Sequence, residues 1–146
     1  MRILAALILT TVLYAQAQPR YKVEFEIRDR SEGATEPVQH FTVVVDETGK
    51  GALHATKHVA AGKPSQDVEV GAIIQCSVQD SGGKAALHGE IELSRVTGQI
   101  ILGAITEPII GQRKLAFDVK VEVSKPTVVV NDGKSNEVLA TVTKTN

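Results

Sequence analysis

The sequence is poor in the residues that usually carry chemistry or covalent reinforcement. It has one cysteine, no tryptophan, and only two tyrosines and three phenylalanines in 146 residues. A lone Cys76 cannot form a disulfide within the chain, so the fold has to be held by its apolar core. Few aromatics leave little to stack on a sugar. Charge of one sign is missing too: 16 basic residues stand against 17 acidic ones. That balance argues against nucleic-acid binding, which normally shows a basic excess or stripe. No G-x-S-x-G elbow is present, and Gly82-Gly83-Lys84 lacks the upstream glycine and downstream Ser or Thr of a phosphate-binding loop. We therefore expect no cofactor and no catalytic residue.

Long apolar runs are also absent, with one exception at the start. Arg2 is followed by an apolar stretch from Ile3 to Leu13, then by Tyr14-Ala15-Gln16-Ala17. A positive charge, a short apolar run and an A-x-A ending are the three parts of a cleaved signal peptide. The run is too short for a membrane span, which needs roughly 20 residues. The reading is a signal peptide over 1–17, cut after Ala17, and a single domain over 18–146. The remaining 129 residues carry a net charge of −2. A domain of that size buries about two-thirds of its unfolded surface, enough for a core without staples. No other run is long enough to span a membrane, and the expected location is periplasmic or secreted.

What the mature sequence does have is alternation. Tyr21, Val23, Phe25 and Ile27 alternate with Lys22, Glu24, Glu26 and Arg28, the pattern of a strand with one buried face. Phe41, Val43 and Val45 form a second inward face. A third strand is expected near Ala52 to Val59, although its alanines would also suit a short helix. Val68, Val70, Ala72, Ile74, Cys76 and Val78 make a long fourth strand. Asp80-Ser81-Gly82-Gly83 turns it into a partner carrying Ala85, Leu87, Gly89, Ile91 and Leu93. Further on, Leu115, Phe117, Val119, Val121 and Val123 alternate with polar residues, and Lys125-Pro126 ends that strand. Val128 to Val130 and Val138 to Val142 flank the turn-forming Asn131-Asp132-Gly133-Lys134. Seven to eight short strands without a long helix predict an all-β fold, an antiparallel β-sandwich or partly open barrel.

Few residues stand out against this pattern. His54 and His58 have an H-x₃-H spacing that places them on one face. No cysteine pair completes a four-ligand set, so exposed histidines are the simpler reading and no metal is expected. A metal-binding protein or enzyme using these two histidines is the alternative. Glu24 with Glu26 and Glu90 with Glu92 pair carboxylates as a glycosidase would, yet all four alternate with core residues as on an ordinary solvated face. Cys76 falls on an apolar face, where a thiol packs rather than reacts. Ile100, Ile101, Leu102 and Ile105 lie in an apolar segment without charged alternation. It reads either as one more buried strand of the core or as an interface.

The last third carries a resemblance. Pro108-Ile109-Ile110-Gly111-Gln112-Arg113, the strand from Leu115 to Val123, and Lys125-Pro126-Thr127-Val128-Val129-Val130 resemble the end of the C-terminal β-domain of secretins. These are outer-membrane ring proteins of bacterial type II and type III secretion and of type IV pili. Asp67-Val68-Glu69-Val70-Gly71-Ala72-Ile73-Ile74 is similar to an upstream strand of that domain, and the likeness runs over about residues 41 to 143. It departs from the family in three respects. Asn131-Asp132-Gly133 replaces a double glycine, the N-terminal ring domains of a secretin subunit have no counterpart here, and no segment reads as the long membrane-inserting hairpins. The resemblance implies a non-enzymatic secretin-like β-domain, a binding or assembly module accessory to a secretion or pilus system. Its partners would be envelope proteins or copies of itself. A carrier of a small apolar ligand between the sheets is a further alternative.

The exported protein is expected to begin at Gln18. Intact-mass measurement checks this, and soluble exported material retaining Met1 would overturn it.

Overall fold

The computed structural model describes residues 20–31, 34, 37–62 and 67–145. The expected signal peptide and its cleavage site lie outside them. Eight strands follow one another along the chain. They are β1 (Arg20–Asp29), β2 (Val38–Val45), β3 (Lys50–Ala60), β4 (Asp67–Ser81), β5 (Lys84–Leu102), β6 (Ile105–Glu122), β7 (Thr127–Asn131) and β8 (Asn136–Thr145). They form two four-stranded sheets, ordered β2-β1-β8-β7 and β3-β4-β5-β6, and every ladder is antiparallel. The result is a sandwich that does not close into a barrel. The segment with the ambiguous alanines is a strand, β3.

Two-residue alternation makes each sheet apolar on one side only, and the two apolar sides face each other. In the first sheet, Val23 lies between Val43 and Val142, and Phe25 between Phe41 and Ala140. The opposing sheet supplies Ile74, Cys76, Val78, Ala85, Leu87, Ile91, Leu115, Phe117 and Val121. The rings of Phe25 and Phe117 meet across the core with centroids 5.6 Å apart and planes at 50°, a tilted geometry that suits the ring quadrupoles.

The turns follow from their residues. Gly82 and Gly83 have φ of 60° and 91°, the paired positive values of the tight turn that matches strand twist. They join Ser81 to Lys84 at the end of the β4–β5 ladder. Between β7 and β8, the Asp132 carboxylate accepts N–H bonds from Lys134, Ser135 and Asn136 at 2.9 Å each. The Asn136 bonds, followed by the others, hold its carboxyl well below the ordinary range. At Gly71 the backbone has φ of 142°, and a Cβ there would lie 2.2 Å from the Ala55 carbonyl oxygen. The site admits only glycine, and the Ser94 hydroxyl accepts the Gly71 N–H at 3.1 Å.

The sequence reading missed one element. The strand carrying Leu93 does not stop there, and the strand carrying Leu115 does not start there. They are the middles of β5 and β6, which span 19 and 18 residues. Their ladder runs from Lys84↔Glu122 to Leu102↔Ile105, with a bulge between Val96 and Gly98. At about 3.3 Å per residue, a 19-residue strand reaches about 60 Å and the 10-residue β1 about 33 Å. A long hairpin is therefore present where none was expected.

Two predictions follow from the core. Phe117→Ala deletes the ring that meets Phe25 and should cost about 3–5 kcal/mol in denaturant unfolding, while Lys120→Ala on the solvent side should stay within about 0.5 kcal/mol. Equal losses would mean the faces are misassigned. Cys76 is buried, and that burial pushes its thiol up to about 11 from 9.0. At pH 8 the folded protein then holds on the order of one thiolate per thousand thiols, and should resist iodoacetamide until denatured. Because the folded value is the higher one, the stability linked to this thiol is complete below about pH 9. It falls as pH rises from there toward 11.

Candidate functional site

At the end of the sandwich where β1 leads into the β1–β2 connection, the sheet of long strands continues past its partner. Beyond that point no strand of the other sheet lies opposite its inward face among the described residues. Two features result, a hairpin tip and a cleft.

The tip is the distal part of β5 and β6. Ile100, Ile101 and Leu102 are 48%, 73% and 59% exposed, and Val96 and Ile109 are also exposed. Ile105 is half-buried. Pairing through the bulge places Ile100, Leu102, Ile105 and Ile109 on one face of the hairpin, and Val96, Ile101 and Ile110 on the other. The reading of this segment as a buried core strand is thus corrected. Composition suggested burial, but among the described residues no second layer covers the tip, and Ile100, Ile101 and Leu102 are exposed. The four residues expected at an interface are brought together around the Gly103-Ala104 turn.

The cleft lies nearer the core and has a volume of about 810 Å³. Its floor continues the core through Ile27, Val70, Ala72 and Leu93, with Phe41 on the β2 side. Lys57, Arg95 and Arg113 line it as well. Leu93 pairs with Arg113, and Arg95 with Gly111, so both arginines lie on the inward side of their strands. Arg95 donates to Asp29 at 2.9 Å and to the Ser31 hydroxyl at 3.4 Å. Burial alone would raise the Asp29 carboxyl. The Ser31 hydroxyl and N–H, with the charges of Arg95 and Arg113, outweigh it and set the carboxyl below its ordinary range. The sheet curls toward this space. A Cβ on Gly62, beyond the end of β3, would sit 2.5 Å from Ile105 Cγ2 and 2.9 Å from the Thr106 carbonyl oxygen. The two edges of the long sheet, β3 and β6, therefore approach each other at its far end.

The other residues singled out from sequence lie outside both features. His54 and His58 pair with Ile73 and Glu69 on the outer side of β3 and are exposed. Among the described residues, no three His, Cys, Asp or Glu side chains are placed to share a metal ion. Glu24 pairs with Lys22 at 3.2 Å, Glu26 with Arg28 at 2.6 Å, and Glu90 with Lys114 at 2.9 Å. These are the ion pairs of a solvated face. The cleft cations were missed, although they left a trace: Lys57, Arg95 and Arg113 fall in the inward-facing register of their strands. Among the described residues, no helix is long and apolar enough to cross a membrane.

No protein-family model matches this sequence, and no curated protein does either. Among solved structures, the chain is similar to the InvG secretin-domain β-barrel from the Salmonella SPI-1 injectisome NC-base. The TM-score is 0.51 at 11% sequence identity, with 88% of this chain aligned. The chain spans 60% of that structure's length. At that identity the likeness shows the fold, and the fold is secretin-like.

Proposed function

We propose that this chain is a non-enzymatic assembly module of the bacterial envelope, accessory to a secretion system. It is exported to the periplasm or beyond and engages envelope proteins or further copies of itself through the β5–β6 hairpin. The observation that carries this reading is the exposed apolar tip. Ile100, Ile101 and Leu102 stand free together with Val96 and Ile109. Exposed apolar side chains gathered on both faces of one hairpin tip are of the kind that usually marks a contact surface. Each large aliphatic side chain contributes about 1.5–3 kcal/mol when fully buried, against which the freedom lost on association must be set. The secretin-like fold supports the same reading, since the matching structure belongs to an injectisome base.

Ile101→Glu tests it. The side chain is 73% exposed, so the variant should fold with its melting transition unchanged. Cross-linking in the producing cell and light scattering of the purified protein should show the parent's complexes lost. The control Lys120→Glu, on the solvent side of β6, should retain them. A folded Ile101→Glu protein forming the same complexes as the parent would remove the hairpin from the interface.

A further inference from the structure

The cleft points to a ligand independently of the hairpin tip. Its volume of about 810 Å³ falls within the roughly 300–1,000 Å³ of small-molecule sites. Its floor is apolar and continuous with the core: Ile27 and Ala72 are each 2% exposed and Val70 3%. Its charge is one-sided, with Lys57, Arg95 and Arg113 against the single carboxylate Asp29. Asp29 is committed to Arg95 and Ser31. Among the described residues, no carboxylate lies within ion-pairing distance of Arg113 or Lys57. An apolar floor beside two cations that make no ion pair among the described residues, Arg113 reaching Asp29 only through its longer-range field, is complementary to a molecule with an apolar body and an anionic head.

We propose that the cleft binds a small aliphatic carboxylate. Its chain rests on Phe41, Val59 and Leu93, the half-buried apolar residues of the lining, and its carboxylate is taken by Arg113 with Lys57 beside it. The planar guanidinium offers two parallel N–H donors to a carboxylate, which gives orientation as well as attraction. Arg95 is held by Asp29 and frames the site without supplying its binding charge. The edge strands β2 and β3 also line the cleft, which raises an extended peptide as the competing occupant. The one-sided charge of the lining suits a ligand with a single anionic head better than a strand, whose backbone is neutral.

Calorimetric titration of the protein with decanoate and with 1-decanol tests the assignment. Decanoate should bind one per chain, and decanol at least tenfold more weakly, a difference of about 1.4 kcal/mol. Arg113→Gln should bring decanoate to the level of decanol while leaving decanol unchanged. Leu93→Trp, filling the floor, should remove both. Circular dichroism confirms that each variant is folded. Ile101→Glu should bind decanoate as the parent does, so failure of the assembly reading and failure of this one are separable. No decanoate binding, equal binding of acid and alcohol, or an unchanged affinity in folded Arg113→Gln would each overturn the proposal. So would binding of an extended acidic pentapeptide where decanoate does not bind, which would give the cleft to a strand.

Discussion

The two sheets must cover one another, and they are of unequal length. One is built from strands of five to ten residues, the other from strands of 11 to 19. No helix among the described residues is available to make up the difference. Where the sheets overlap, each apolar face is buried by the other, and residues such as Val23, Ile74, Leu87 and Val142 are wholly enclosed. Where the overlap ends, the longer sheet keeps an inward face that no strand of the shorter sheet covers among the described residues. Its nearer part is lined by cations and becomes a cleft. Its farther part is apolar and becomes a hairpin tip. Both candidate sites arise from the same mismatch.

Alternation was enough to locate most of the strands because it reports a local property, which face of a pleated chain is wet. Tyr21 to Ile27, Val68 to Val78 and Leu115 to Val121 could be placed on the core side from their spacing alone. Strand length is different, because it depends on whether a ladder continues where the pattern falters. Between Leu93 and Leu115 the pattern falters twice. The bulge at Thr97 shifts the inward register by one residue, and Pro108 reads as a break although it lies within β6. Each half of the hairpin consequently looked like a separate short element.

The same limit explains the two sites. Ile100 to Ile105 is as apolar as any core strand, and composition cannot tell a covered side chain from an uncovered one. That depends on the reach of the opposite sheet, which is set by residues far away in sequence. The cleft was closer to legible. Lys57, Arg95 and Arg113 occupy inward positions where alternation calls for apolar residues, and such a conflict often marks a working surface. It becomes visible only when β5 and β6 are followed through the bulge as continuous strands.

Pro108 also bears on how copies of such a protein meet. Among the described residues, β6 is hydrogen-bonded to a strand on its β5 side alone, so its other edge carries no ladder. An edge of this length without a ladder invites edge-to-edge strand addition, which has no natural stop and leads toward fibres. A proline has no N–H to offer a newcomer, and within a sheet it persists at an edge with that side turned to solvent. A strand pairing along β6 from its Glu122 end would meet at Pro108 a residue with no N–H to offer. Growth by backbone pairing is braked at that point.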